Sequence, residues 1–320
     1  MIPSSFEYQA PKTLDEALRL LGRHGDEAKI LAGGHSLLPL MKLRLASPRY
    51  VIDIGHLRGL DYIREDGDHI AIGALATHAQ VAASELLREK CPLLPETAAQ
   101  IGDMQVRNRG TIGGSLAHAD PAADYPAAIL ALDAELIVQS TSGKRTIPAA
   151  EFFVDLLSTQ VRPGDILTEI RVPAQRSGEG TAYCKFHQPA SGFATVGAAA
   201  RVIASKDGKI EDIALGMTGV GSKAYRASAV EKMLRGKQAS GELIESACAK
   251  AAQGVEPLSD IFASAEYRRA MASVFAHRAI SAALARAGVH VNAKSATAKP
   301  SPAKTPVKKS AASKPKGKRK

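Results

Sequence analysis

Apolar residues recur at helical spacing in "PKTLDEALRLLGRHG", where Leu14, Ala17, Leu18 and Leu21 make one stripe. Thr13 with Glu16 three residues on forms a capping-box signature, so the pattern predicts a helix ending near Gly22 or Gly25. The next signals have a different period. "AKILAGG" reads as a short buried strand running into paired glycines, and "YVIDIG" as another strand. "LDYIREDGDHIAIGALAT" predicts two more strands with Asp66-Gly67 near a tight turn. Thr77 and Gln80 make a second capping-box signature, opening a helix that carries Val81, Leu86 and Leu87. After Pro92 and Pro95, "PETAAQIGDMQVRNRG" predicts helix leading into a second glycine pair. Asp120 as N-cap and Pro121 at the first helical position would then start "PAADYPAAILALDA". "AELIVQS" and "DILTEIRVP" are strands with turn residues between them.

The stretch "QRSGEGT" marks a domain boundary. Beyond it, "AYCKFHQ", "ATVGAAARVIA" and "KIEDIALGMTGVG" predict three strands, and helices from Ser228 to Arg286 complete an α+β unit. A chain of 320 residues that is 45% hydrophobic can bury one large core or two smaller ones, and ordinary domain size favours two. No apolar run approaches the roughly 20 residues of a membrane span, and the first residues lack a secretory pattern, so the expected address is the cytoplasm.

The net charge of +10 suggests a nucleic-acid footprint, but its distribution changes that picture. From Ala293 the chain reads "AKSATAKPSPAKTPVKKSAASKPKGKRK", which holds ten basic residues and no acid. Removing those ten from 42 leaves 32, equal to the 32 acidic residues, so the rest of the chain is formally neutral. The composition of the tail, taken from 289 to 320, predicts a disordered Lys/Pro/Ala-rich extension, with polyanion contact as an alternative role. Cys91, Cys184 and Cys248 lie far apart and offer neither a disulfide framework nor an iron–sulfur ligand set.

The chemistry concentrates in the two glycine pairs. In "AGGHS", Gly33 and Gly34 lack a Cβ, so backbone N–H groups could face a ligand closely while Ser36 caps a following helix whose N-terminus favours an anion. "TIGGS" repeats the arrangement, with Thr111 and Ser115 supplying hydroxyls around Gly113 and Gly114. Two such loops would suit the two phosphates of a dinucleotide. Neither matches GxGxxG, which disfavours a Rossmann nicotinamide site. His118 with Asp120 and Asp124 makes a poor ligand set, so no metal site is expected.

Taken together, "ILAGGHSLLPLMKLRLASPRYVIDIGHLRGL" and "QVRNRGTIGGSLAHADPAADYPAAILALDAEL" resemble the FAD-binding medium subunit of the molybdenum hydroxylases, the family of aerobic carbon monoxide dehydrogenase and xanthine dehydrogenase. The resemblance implies an α+β fold in which residues 1–177 form a two-part FAD-binding domain of the vanillyl-alcohol-oxidase (PCMH) type. Residues 178–288 would form the smaller C-terminal α+β domain of the family, a three-stranded sheet plus helices. It places the first pyrophosphate loop on Ile30, Leu31, Ala32, Gly33, Gly34, His35, Ser36 and Leu37, and the second on Thr111, Ile112, Gly113, Gly114 and Ser115. Asp124, Ile101, Leu167 and Lys185 match further flavin contacts, and Phe193 stands where some relatives keep an aromatic near the ring. His35 falls in the phosphate loop, so the FAD is expected to be noncovalent.

The same resemblance implies electron transfer without a catalytic acid or base in this chain. Electrons would come from the [2Fe–2S] clusters of a small partner subunit and leave to an external acceptor. A large molybdopterin-binding partner would oxidise the substrate, and the assembly would be a dimer of heterotrimers. Carbon monoxide, an aldehyde or an N-heterocycle all remain open as substrate. A stand-alone flavoprotein oxidoreductase and a polyanion-binding protein acting through its tail are the alternatives.

Overall fold

The computed structural model describes residues 2–291, and the predicted tail from Ala293 to Lys320 lies outside them. Strand β1 (Glu7–Gln9), helix α1 (Leu14–His24), β2 (Ala28–Leu31), α2 (Leu37–Lys42) and β3 (Tyr50–Asp53) form a first layer. Its strands run parallel in the order β1-β3-β2. The apolar stripe of α1 buries Ala17, Leu18 and Leu21 against Ala28, Ile52 and Ile54. Thr13 caps α1 by accepting the Glu16 N–H at 3.2 Å, but the Glu16 carboxylate takes the Lys12 N–H at 2.8 Å, so only half of the expected box closes. Gly25, at φ 52, ends the helix.

The second layer begins with the hairpin β4 (Ile63–Asp66) and β5 (His69–Gly73). Short helices follow: α3 (His78–Ala83), α4 (Glu85–Lys90), α5 (Leu93–Ala99), α6 (Met104–Arg107), α7 (Ile112–His118) and α8 (Tyr125–Ala131). Then come β6 (Glu135–Ser140), β7 (Gly143–Pro148), α9 (Ala149–Phe152), β8 (Phe153–Asp155), β9 (Ser158–Thr159) and β10 (Ile166–Pro173). The antiparallel sheet has the order β4-β5-β10-β6-β7.

Three predicted helices differ, each for a local polar reason. The helix expected to carry Val81, Leu86 and Leu87 is divided at Ser84, whose hydroxyl accepts the Leu87 N–H at 3.3 Å and starts α4. The run before the second glycine pair breaks after Ala99, because Asp103 caps a new short helix through the Val106 N–H at 2.8 Å. The helix expected to begin at Pro121 begins at Tyr125. The Asp120 carboxylate accepts the Ala122 N–H at 2.8 Å in an Asx turn, which leaves Asp124 at the N-cap of α8.

The C-terminal part is an antiparallel sheet of β11 (Glu179–His187), β12 (Ala194–Ala204), β13 (Ile210–Thr218) and the short β14 (Tyr225–Arg226), one strand more than the three expected. Helices α10 (Ser228–Leu234), α11 (Gly241–Cys248) and the long α12 (Ala265–Arg286) complete it. A Cβ on Gly180 would lie 2.0 Å from the Ala283 carbonyl, so α12 rests directly on the backbone of β11. Val289 is buried in this core, and packed chain therefore continues past residue 288.

Helix α8 joins the two halves. All seven of its residues are buried, and a Cβ on Gly216 of β13 would lie 2.0 Å from the Ala127 carbonyl. Tyr183 and Ala199, from the C-terminal sheet, pack into the core of the preceding part. Among the described residues no helix is long and apolar enough to cross a membrane.

Candidate functional site

A cleft of about 670 Å³ opens between the parallel layer and the second layer, within the range of small-molecule sites. Its walls include both glycine pairs. Ala32, Gly33, Gly34, His35, Ser36 and Leu37 follow the end of β2 on one side, while Thr111, Gly113, Gly114 and Ser115 open α7 on the other. Ile30, Ile101, Asp124 and Leu167 also line it, and half-exposed Phe193 sits on its rim. Leu31, Ile112 and Lys185 do not reach the cleft wall. Ile112 is fully buried in the core, and Lys185 lies behind Asp124.

The two loops press on each other. A Cβ on Gly33 would sit 2.1 Å from the carbonyl oxygen of Arg109, and one on Gly114 would sit 3.9 Å from the Cβ of Ala32. Their donors differ. In the first loop, none of the N–H groups of Gly33, Gly34, His35 and Ser36 donates to a protein acceptor among the described residues. In the second, Ile112 donates to the Ala76 carbonyl at 2.9 Å, Gly113 to the Ala74 carbonyl at 2.9 Å and Gly114 to the Thr111 hydroxyl at 3.1 Å. The two loops, alike in sequence, therefore differ in the donors they leave free. Only the first loop has N–H groups left for an anion; the second offers the Thr111 and Ser115 hydroxyls and a close approach of backbone.

Ser36 was expected to cap α2, but its hydroxyl makes no capping bond, and α2 has only six residues. The anion-binding capacity of the first loop thus rests on its own N–H groups rather than on a helix dipole.

At the other end of the cleft, Asp124 is buried. Its carboxylate accepts from the Tyr183 hydroxyl and from the Lys185 ammonium, which lies 2.9 Å from Oδ1 and 3.0 Å from Oδ2. Lys185 also donates to the Gln100 carbonyl at 2.7 Å. Burial pushes the Asp124 carboxyl above its ordinary range, against the opposing pull of the Lys185 charge and the bonds from Tyr183 and Lys185. Leu167 stands at a register shift of β10 between Leu167 and Glu169, a bulge of the kind that re-aims side chains.

Two parts of the site were not marked as functional by the sequence pattern. His78, the first residue of α3, lies between the loops: its N–H donates to the Gly110 carbonyl at 2.9 Å and its ring is buried on the cleft floor. Burial, with the nearby His35 and Arg107, lowers its pKa to about 4. The Thr77–Gln80 capping box, which does form fully, was the one pointer to this turn. The stretch from Leu157 to Asp165 also lines the cleft and is fastened by Arg145, which bonds the Gln160 carbonyl at 3.0 Å and the Asp165 carboxylate at 2.6 Å. Among the described residues no cluster of His, Cys, Asp or Glu could hold a metal ion.

Comparison with known proteins agrees with this architecture. Residues 4–175 match the FAD binding domain in molybdopterin dehydrogenase, and residues 181–283 match the CO dehydrogenase flavoprotein C-terminal domain. The carbon monoxide dehydrogenase medium chain of Hydrogenophaga pseudoflava is 42% identical over 287 residues, covering 89% of this chain and 99% of that one. Subunit alpha of the 6-hydroxypseudooxynicotine dehydrogenase complex of Paenarthrobacter nicotinovorans is 40% identical, covering 90% and 97%. A solved carbon monoxide dehydrogenase from H. pseudoflava, lacking the Mo-pyranopterin moiety of its cofactor, superposes with a TM-score of 0.87 at 43% identity over 89% of this chain and 99% of its own. With both family domains in order along one cleft-bearing fold, the chain belongs to the FAD-binding medium subunits of the molybdenum hydroxylases, and is an oxidoreductase flavoprotein subunit.

Proposed function

We propose that this chain carries electrons from the [2Fe–2S] clusters of a small partner subunit to an external acceptor, while a large molybdopterin-binding partner oxidises the substrate. The observation that carries this reading is the polarity of the cleft. Four unpaired N–H groups at Gly33 to Ser36 suit a pyrophosphate, and the buried Asp124 carboxylate suits the hydroxyl-bearing chain. Ile101 and Leu167 give an apolar wall for a ring between or beyond them. The residues thus fit noncovalent FAD, with the first loop Ile30–Leu37 and the second loop Thr111–Ser115 on either side. When bound, FAD takes electrons singly and delivers them in pairs.

The protein's own part is to bind and orient. Gly33 keeps the two loops in contact, Thr111 and Ser115 present hydroxyls, and the Leu157–Asp165 stretch adds to the cleft wall. Three separated cysteines, Cys91 and Cys248 buried among apolar groups and Cys184 half-buried, cannot supply the four thiolates of a cluster, which assigns the iron–sulfur centres to a partner. Relatives of nearly equal identity act in carbon monoxide and 6-hydroxypseudooxynicotine dehydrogenases, so substrate choice belongs to the large subunit's pocket. We place the flavin in residues 1–177, the family's smaller domain in 178–288, and the complex, a dimer of heterotrimers, in the cytoplasm. Polyanion contact by the basic tail is the alternative role.

The test is to isolate the tagged chain gently from its native cells and record its visible spectrum before and after acid precipitation. Flavin released into the supernatant, iron–sulfur absorbance and two co-purifying subunits are expected. A colourless chain that gains no colour with FAD and its co-purified proteins would overturn the reading. Substrate turnover by the isolated chain would favour a stand-alone flavoprotein instead. Deleting Ala293–Lys320 should leave flavin content unchanged; retention of nucleic acid by the intact chain alone would give the tail its own role.

A further inference from the structure

Asp124 is held by two residues of another part of the chain, and the inventory of donors separates what touches the cleft from what stands behind it. Lys185 has three ammonium protons and three protein oxygens within 3.0 Å: the Gln100 carbonyl at 2.7 Å and the two Asp124 oxygens at 2.9 and 3.0 Å. Its side chain is fully buried, and it does not line the cleft. Tyr183 is likewise buried, and its hydroxyl points at Oδ1 of the same carboxylate. Room for that hydroxyl depends on Gly197 of β12, where a Cβ would fall 2.5 Å from it. A carboxylate has about four acceptor positions. With Tyr183 and Lys185 engaging the Oδ1 side and Lys185 bonding Oδ2, the acceptor capacity left on Asp124 is the part facing the cleft.

We propose that Tyr183 is a positioning residue for the cleft: with Lys185 it holds the Asp124 carboxylate aimed, so that β11 of the C-terminal sheet sets how tightly a flavin's hydroxyl-bearing chain is gripped. This rests on the flavin reading above. The groups facing Asp124 are Lys185 and Tyr183 from β11, and Tyr125 from its own helix, whose hydroxyl is buried without a partner. Tyr183 differs from an ordinary core tyrosine because its hydroxyl bond ends on the carboxylate that lines the site. Its influence should therefore pass through Asp124 alone.

The experiment is FAD titration of the full chain after flavin removal, followed by fluorescence quenching, in a double-mutant cycle of Tyr183→Phe and Asp124→Asn. Tyr183→Phe should weaken FAD binding about tenfold, the effect of one charge-assisted hydrogen bond. In the Asp124→Asn background the same change should alter it less than about twofold. Equal losses in both backgrounds, or unchanged affinity in Tyr183→Phe, would overturn the proposal. If Asp124→Asn binds too weakly to titrate, the pH profile decides: losing one donor should move the acid limb of FAD binding to higher pH in Tyr183→Phe, and an unmoved limb would overturn it. If Tyr183→Phe does not fold, Gly197→Ala displaces the hydroxyl without removing it and should weaken binding likewise; full affinity there would count against the proposal. Failure of the unsubstituted chain to bind FAD would instead overturn the flavin reading itself.

Discussion

The two glycine loops look like copies in sequence and act differently in the fold. In "AGGHS" the backbone N–H groups from Gly33 to Ser36 have no protein partner, and the following helix lacks a side-chain cap. In "TIGGS" the N–H groups of Ile112, Gly113 and Gly114 are all engaged by protein oxygens. A Cβ on Gly113 would lie 2.5 Å from the Ala74 Cβ and 2.6 Å from its carbonyl. One loop leaves its N–H groups without protein acceptors, and the other spends them fastening a helix to the segment that follows β5. A glycine pair therefore does not by itself identify a phosphate cradle; what the adjacent backbone does with its donors decides.

The largest expected effect tests the contact between the loops. Gly33→Ala would place its Cβ 2.1 Å from the Arg109 carbonyl oxygen and 2.8 Å from the Gly110 Cα, both backbone. Backbone cannot rotate away, so the loops must part. We expect about 3 kcal/mol of destabilisation, the upper end for overpacking, together with loss of FAD retention. Gly114→Ala, whose Cβ crowds the Thr111 hydroxyl at 2.8 Å and otherwise meets the Ala32 Cβ at an ordinary 3.9 Å, should cost less because a side chain can turn where backbone cannot. Equal urea midpoints for the two variants would break the distinction between them.

Histidines carry the same contrast. His35 in the first loop is exposed, whereas His78 is buried beside the second, with its pKa lowered from 6.5 to about 4 by burial and by the nearby His35 and Arg107. A depressed base resists protonation in the folded state, while the unfolded chain takes up its proton near pH 6.5. The stability tied to neutral His78 is thus full above about pH 6.5 and lost as the pH falls toward 4. Between pH 7 and 4.5 this amounts to about 2 to 3 kcal/mol. Urea denaturation of the flavin-free chain at both values should show that loss, and His78→Gln should remove most of the difference. The same pH dependence in both proteins would mean that His78 titrates normally.

The N-cap of the second loop gives a smaller effect. Thr111 accepts the Gly114 N–H at 3.1 Å and is buried. Thr111→Ala should destabilise the flavin-free chain by about 1 kcal/mol, as removal of a helix cap does. Thermal unfolding of the stripped protein measures it.

Much of the fold was legible because its signals are local. The α1 stripe, the apolar run of β2, the Asp66-Gly67 hairpin and the long strands of the C-terminal sheet all follow period and turn chemistry. The failures share a cause. Ser84, Asp103 and Asp120 are short polar side chains that take a backbone N–H for themselves, ending or delaying helices that periodicity alone would continue. β1, with two exposed residues and one half-buried, has no apolar pattern to announce it. In the site, most of the residues placed by family resemblance do meet on one cleft, since motifs at strand ends are carried there by the sheets. Tyr183 was invisible because its meaning depends on Asp124, 59 positions earlier in the chain. No window of local pattern spans that separation.

The smallest stability effect gives the sharpest comparison of the loops. Ser36 occupies the N-cap position of α2 as Thr111 does for α7, yet its hydroxyl makes no cap bond and it lines the cleft. Removing a hydroxyl that holds nothing in the folded protein should change the stability of the flavin-free chain by less than about 0.5 kcal/mol. The same hydroxyl lies beside four unpaired N–H groups where an anion would sit, so Ser36→Ala should weaken FAD binding by about threefold to tenfold. Thr111→Ala and Ser36→Ala then separate along two axes, unfolding of the stripped chain and FAD affinity. If Ser36→Ala lowers the unfolding temperature as far as Thr111→Ala does, the serine is a cap after all, and the two loops are closer to copies than their backbone donors indicate.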